Sequence, residues 1–324
     1  MSNPLLNFAG LPLFNEIKPA HVSPALDLLL SEGKQTIDAL ADNKDAPTWA
    51  NFAVKLEDLD EKISRAWSQV GHLNAVINSP ELREAYNANL AKLTDFYSDL
   101  AQDERLYAKY RAILNSPDFK NLNQAQQQII NNEVRDFKLG GAELPTADKV
   151  RFKAINEELS KLASKFEENV LDTTNEFALY VEDVAELSGI PEDVLQAAKE
   201  SAASDKKDGY KFTLHFPSYL PALQYADNRD LREKLYRAYA TRASEFGKPE
   251  FDNTPIITQL LKLRQEAAQM LGFSNYAEFS LATKMADSSQ QVIDFLHNLA
   301  NKAKPFAAQD MVELTQYAKK IRHH

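Results

Sequence analysis

Histidine is the residue type in this chain whose spacing most directly tests for metal-dependent chemistry. A zinc peptidase site of the helical type needs two histidines four residues apart on one helix face, with a glutamate between them as general base. None of the six histidines stands in such a His-Glu-x-x-His motif. They are His21, His72, His215, His297, His323 and His324. The sequence therefore predicts no metal ligand and no cofactor-binding residue in this chain.

The chain also lacks the sequence motifs of other kinds of catalytic site. The chain has no cysteine, which excludes thiolate metal sites, disulfides and cysteine nucleophiles. It contains no G-x-S-x-G elbow and no glycine-rich phosphate loop. Acidic runs such as Glu57–Glu61 are typical of the solvated face of a helix. From the residues alone we predict no catalytic residue, and whether the chain is an enzyme stays open.

The surroundings of single histidines favour structural roles. His72 follows an apolar helical stripe and is expected to be a hydrogen-bonded residue near a helix end. His215 is expected on the strand face opposite the aromatic residues. His297 follows Asp294 by three residues, a spacing typical of a surface ion pair on a helix. The two final histidines are typical of a purification tag and are kept out of the argument.

The composition is that of an ordinary globular protein. Hydrophobic residues make up 44% and charged residues 26% of the 324 residues, and the net charge is −10. This charge disfavours nucleic acid and anionic membrane as partners, because both require clustered positive charge. The N-terminal segment lacks a basic stretch followed by a long apolar run, so we do not expect it to be a signal peptide, and no apolar run is long enough to span a bilayer. We therefore expect a cytoplasmic protein.

Apolar residues recur at steps of three and four along most of the chain, which predicts long amphipathic helices. One stripe follows the predicted N-cap Thr48, and another follows Ser79-Pro80. Further N-caps are predicted at Ser23, before Pro24, and at Thr146. The first stripe comprises Phe52, Leu56, Leu59, Ile63, Trp67 and Val70.

The spacing changes to strict alternation in one segment only. Aromatic and apolar side chains alternate with polar ones from Tyr210 to Phe216, which predicts a strand with one buried face. A weaker strand is expected at Phe177–Val181, with a short helix between the two strands that opens near Pro191. Helix is expected to resume at Leu220 or Asp230. The fold class is therefore mainly α with one small antiparallel β element.

Aromatic and basic residues interleave in the segment Leu231–Arg242. Tyr236, Arg237, Tyr239 and Arg242 could bind nucleic acid or a peptide carboxylate. The acidic net charge instead favours a helix with inward aromatic residues and arginines in structural ion pairs.

Several segments resemble, in order, the M3 family of zinc oligopeptidases. The resemblance runs from about His21 to about Asp310. It is carried by His72–Val76 with Ser79–Arg83, Arg151–Ile155, Phe166–Thr174, Tyr210–Tyr219, Leu231–Arg242, Asn253–Ile257 and Leu271–Ala286. Several such segments in family order are more specific than any single pattern.

The resemblance implies a neurolysin-like architecture in three parts. Residues 1–145 would form the N-terminal helical domain, and residues 146–229 a long helix with the small β element. Residues 230–324 would begin the catalytic domain and stop before its zinc motif. None of the family's zinc ligands or its catalytic glutamate can be carried over to a position here.

The resemblance also implies a function. Members of the family hydrolyse short unstructured peptides, including signal-peptide fragments, inside a deep channel, and they use zinc. This chain would form one wall of that channel and is expected to be inactive alone. One alternative is a self-standing helical scaffold that binds peptides or a partner protein, and an unrelated activity also stays open.

A chain that forms half of a two-walled enzyme would leave apolar residues without partners. We therefore expect self-association through the region after Asp230, or poor order there. The residues expected to be partly uncovered are Leu260, Leu261, Leu263, Met270, Leu271, Phe273, Phe279 and Leu281.

Overall fold

The structure is a computed structural model that describes residues 3–321. His323 and His324 lie outside the described residues. The chain divides into two compact units, one up to Leu263 and one from Arg264 onward. The described residues are mainly α-helical and contain one two-stranded antiparallel sheet, as the sequence predicts.

The first unit begins with a bundle of five helices. These are α1 (Pro19–Asp42), α2 (Val54–Val76), α3 (Pro80–Ala101), α4 (Glu104–Leu114) and α5 (Gln124–Leu139). Their apolar faces form one core that includes Leu26, Ile63, Tyr110 and Ile130, each at most 1% exposed. The three-and-four spacing of the sequence therefore marks faces that are buried in the bundle.

The predicted N-caps at Thr48 and Ser79 are confirmed. The Thr48 hydroxyl accepts a hydrogen bond from the Asn51 amide at 3.1 Å, at the start of a π-helical turn, Trp49–Ala53, that leads into α2. The Ser79 hydroxyl accepts one from the Leu82 amide at 3.3 Å. Both side chains satisfy amide groups that have no partner within the helix.

The predicted N-caps at Ser23 and Thr146 are wrong. Helix α1 begins at Pro19, so Pro24 lies inside it. Val22 and Leu26, on either side of this proline, are fully buried, and their packing outweighs the hydrogen bond that the proline cannot make. Thr146 is the first residue of the next helix rather than its cap, because Pro145 is the extended residue before it.

A second part of the same unit follows this bundle. It comprises α6 (Thr146–Glu176), β1 (Leu179–Val181), α7 (Glu192–Ser204), β2 (Tyr210–Phe212), α8 (Phe216–Tyr225) and α9 (Arg229–Ala240). The strands pair antiparallel with Leu179 opposite Phe212 and Val181 opposite Tyr210. Phe212, Leu214, Leu231 and Leu235 contribute to a second core beside the sheet.

The predicted strand Tyr210–Phe216 is too long. Strand β2 ends at Phe212, because the amide of Thr213 donates to the Ser218 hydroxyl at 3.0 Å instead of continuing the ladder. Helix α8 then begins at Phe216 with Pro217 in its first turn, before both positions at which helix was expected to resume. His215 therefore lies at the N-cap of α8 and not on a strand face.

Three further helices complete the described chain. They are α10 (Thr254–Met270), which crosses the boundary between the units, α11 (Tyr276–Leu281) and α12 (Ser289–Ile321). Leu260 and Leu263 are buried, contrary to expectation, whereas Leu261 is exposed. The other five residues of that group are half-buried.

Helix α12 carries an exposed apolar stripe that the sequence analysis did not identify. None of its residues is buried. The stripe recurs at steps of three and four, with Asp310 at the one interrupted position. It comprises Val292, Leu296, Leu299, Ala303, Phe306, Leu314, Tyr317 and Ile321.

Among residues 3–321, no helix combines the length and the apolar character that crossing a membrane requires.

Candidate functional site

The four described histidines lie apart in local structural roles. The Nδ1 atom of His21 accepts a hydrogen bond from the Lys18 amide at 3.1 Å at the start of α1. The ring of His72 packs on Phe14 with centroids 5.2 Å apart, in place of the expected hydrogen bond. His297 is exposed on α12, where Asp294 accepts from Gln290 at 2.7 Å.

The donor groups of the described chain do not fit a zinc ion. Within residues 3–321, no three His, Asp or Glu side chains are placed together so that they could hold a metal. Structural and catalytic zinc sites both need at least three such protein ligands. No catalytic step through zinc is therefore assigned to the residues of this chain.

The aromatic-basic segment of α9 packs inward in part. The ring of Tyr239 stacks on that of Tyr219 at 4.2 Å, and the Arg242 guanidinium lies 3.7 Å from the Tyr239 centroid. Arg242 donates to the Thr174 hydroxyl at 3.1 Å and to the Tyr239 carbonyl at 3.0 Å, so it is held by a cation–π contact and hydrogen bonds. Tyr236, on the same helix, points outward and is 61% exposed. The segment is therefore mainly structural, although Arg242 makes a cation–π contact and hydrogen bonds where ion pairs were expected.

A buried pair of amides joins α6 to the segment before α10. Asn169 and Asn253 are 1% and 2% exposed. The Asn169 amide donates to Asn253 Oδ1 at 2.8 Å, and the Asn253 side chain donates to the Phe166 carbonyl at 3.0 Å. The backbone amide of Asn253 also donates to the Ala243 carbonyl at 2.9 Å. These bonds fix the start of α10 against the C-terminal half of α6.

An ion pair joins the same half of α6 to the helical bundle. Arg83, in the first turn of α3, donates to both carboxylate oxygens of Asp172 at 2.8 and 2.7 Å. It also donates to Asn78 Oδ1, at a residue with a positive φ of 47°. The hydrogen bond from Arg83 lowers the pKa of Asp172, so this pair is ionised at neutral pH.

We call these contacts the α6 junction, defined by Asn169, Asp172 and Thr174 with their partners Asn253, Arg83 and Arg242. Its role was not predicted from the sequence, because the partners lie 68 to 89 positions apart along the chain. One signal was present: Asn169 follows the apolar residue Phe166 by three positions, which places a polar side chain on the same face of α6 as this phenylalanine. The junction holds segments in position and contains no nucleophile or general base.

Comparison with known proteins gives consistent matches along the chain. A family model of the neurolysin/thimet oligopeptidase N-terminal domain matches residues 26–149, and a model of peptidase family M3 matches residues 222–324. Oligopeptidase A of Haemophilus influenzae is 46% identical over 322 residues, which cover 99% of this chain and 47% of that relative. Oligopeptidase A of Escherichia coli is 43% identical, with 98% and 47% covered. The probable cytosolic oligopeptidase A of Arabidopsis thaliana is 37% identical, with 98% and 46% covered. The chain spans about half the length of these curated relatives.

Proposed function

We propose that this chain supplies the N-terminal half of a zinc oligopeptidase that hydrolyses short peptides. The chain belongs to peptidase family M3. One observation carries this proposal: a match to the family's N-terminal domain is followed by a match to the peptidase domain itself, in family order. The likeness to oligopeptidase A at 42–46% identity supports the same assignment.

The proposed role of the chain is structural support for catalysis carried out by other residues. Its three parts, 1–145, 146–229 and 230–324, correspond to the helical domain, the long helix with the β element, and the beginning of the catalytic domain. The helical parts form one wall of a substrate channel. The α6 junction supports this role, since it ties the bundle through Arg83 and the start of α10 through Asn253 to one helix.

Zinc chemistry belongs to residues beyond those of this chain. When bound, zinc supplies a Lewis acid and an activated water for amide hydrolysis. The donor set of residues 3–321 does not fit the ion, so the chain is inactive alone in this proposal.

The proposed substrates are short unstructured peptides of the cytoplasm, including fragments of cleaved signal peptides. The names of the bacterial relatives support an oligopeptide substrate. One plant relative is described as cytosolic, which supports the proposed location.

The test is the zinc content and peptidase activity of the purified chain. We expect less than stoichiometric zinc after dialysis and no hydrolysis of a quenched fluorogenic peptide, with or without added zinc. One tightly held zinc ion per chain together with chelator-sensitive hydrolysis would contradict the proposal. Saturable peptide binding without hydrolysis would favour the scaffold alternative instead.

A further inference from the structure

Helix α6 connects the two hydrophobic cores of the first unit, and among the described residues neither core includes one of its side chains. The apolar residues of α6 that are buried, Phe152 and Ile155, both lie in its first third. In the stretch 156–168 no residue is buried. Apolar burial therefore holds the N-terminal end of α6, and the rest of the helix depends on other contacts.

Ion pairs hold α6 to α3 at both ends of their contact, which we call the α3–α6 interface. Near the N-terminus of α6, Lys153 pairs with the carboxylates of Asp95 and Asp99 at 2.5 and 2.6 Å. Near its C-terminus, Asp172 accepts the two hydrogen bonds from Arg83 that belong to the α6 junction. These five side chains are 23 to 56% exposed, so salt in the solvent screens their attraction.

The middle of the α3–α6 interface is hydrogen-bonded and loosely packed. The Asn87 amide donates to Glu168 at 2.7 Å, and the Thr94 hydroxyl donates to Ser160 Oγ at 3.1 Å. A groove of about 390 Å³ lies between the two helices, and every described residue of α6 that lines it is polar or charged. A second groove, of about 480 Å³, lies beside the Arg83 ion pair. Separation of the helices here therefore exposes little apolar surface, which makes relative motion the default expectation.

The connection from α5 to α6 is tightly packed, in contrast. A Cβ atom at Gly140 would lie 2.5 Å from the Cβ of Ala101, the last residue of α3. At Gly141, where φ is 94°, a Cβ atom would lie 3.3 Å from the ring of Phe152. The backbone at the N-terminal end of α6 is therefore fixed against the end of α3, whereas the C-terminal half of α6 is held to α3 by polar contacts.

We propose that α6 swings away from α3 about its buried N-terminal end, and that the Arg83–Asp172 ion pair holds the closed position. In the open position the contact of Asn87 with Glu168 is broken as well, and the groove between the helices widens toward the C-terminus of α6. Because Asn169 bonds to Asn253, the start of α10 moves with α6. High salt favours the open position, since screening weakens the ion pairs and leaves the apolar contacts at the hinge end intact. The inference uses contacts within the first unit and does not rest on the peptidase assignment.

Distances between two spin labels on the full chain test the proposal, and the absence of cysteine allows one engineered pair to be labelled cleanly. Ala88→Cys on α3 and Ala163→Cys on α6 are exposed positions that report on the α3–α6 interface. We expect one short distance in about 50 mM NaCl and a second, longer distance whose fraction rises about fivefold in about 1 M NaCl. Asp172→Asn, which keeps the side-chain shape and removes the charge, should raise that fraction about fivefold at low salt. Circular dichroism checks that this variant is folded, and Glu168→Gln replaces it if it is not.

Two controls separate this motion from general loosening of the bundle. Asp38→Asn removes an exposed ion pair with Arg105 inside the bundle and should leave the label distances unchanged. Labels at Ala88→Cys and Ser31→Cys, both within the bundle, should keep one distance at both salt concentrations. A single distance across the α3–α6 interface in high salt and in Asp172→Asn would overturn the proposal. An equal change in either control, or a response to salt without a response to Asp172→Asn, would overturn it too.

Discussion

At the residue scale, buried polar side chains of α6 hold the segments that follow this helix in position. Asn169 and Asn253 are amides, so they can satisfy each other without the cost of burying charge. The Oδ1 atom of Asn169 is nevertheless buried without a partner among the described residues. The pair therefore depends on correct placement of both side chains, and replacement of either one exposes the other to a full desolvation cost.

Replacing Asn253 should destabilise the first unit strongly. Asn253→Ala removes two buried side-chain hydrogen bonds and leaves the Asn169 amide unsatisfied, so we expect a loss of about 3 kcal/mol in the free energy of unfolding. Asn131→Ala, an exposed position on α5, is the matched control and should change stability by less than about 0.5 kcal/mol. Urea unfolding followed by circular dichroism measures both. Equal effects of the two substitutions would show that the junction contributes nothing specific.

At the scale of helices and strands, local sequence patterns predict some element boundaries and miss others. Helix periods and the caps at Thr48 and Ser79 depend on neighbouring residues, and the sequence contains all of that information. The end of β2 depends on Ser218 reaching back to Thr213, and the position of Pro24 inside α1 depends on tertiary burial of its neighbours. Such contacts between separated residues override local propensity, which explains why these boundaries were mispredicted.

The contacts of the α6 junction were harder to predict from the sequence than the element boundaries. The absence of His-Glu-x-x-His can be read directly from the sequence. Asn169 bonds to Asn253, 84 positions away, and Arg83 bonds to Asp172, 89 positions away. No local pattern specifies such pairs, although the segments that contain them also carried the family resemblance.

The exposed stripe of α12 makes self-association testable at the level of one helix. Leu314 lies in the stripe and Val312 lies on the opposite face, and they are 60% and 56% exposed. We propose that the chain self-associates through this stripe when no other partner covers it. Leu314→Glu should then shift the sedimentation equilibrium toward monomer at least about tenfold, whereas Val312→Glu should not. A wild-type chain that is strictly monomeric, or equal effects of both substitutions, would contradict this proposal.

At the scale of the whole molecule, we propose that the chain is part of a longer peptidase. The matches to the family's N-terminal and peptidase domains cover separate segments, and the curated relatives are about twice as long as this chain. We therefore expect zinc binding and peptide hydrolysis only when the part of the enzyme that this chain lacks is supplied. The relative from Haemophilus influenzae, at 46% identity, can supply it.

The most direct test of this claim is the peptidase activity of a chimera. In it, this chain is fused to the part of Haemophilus influenzae oligopeptidase A that the match does not cover. We predict that the chimera binds one zinc ion and cleaves a short fluorogenic peptide in a chelator-sensitive manner, while neither half is active by itself. A folded, zinc-loaded chimera without activity, or full activity from the Haemophilus part alone, would contradict it.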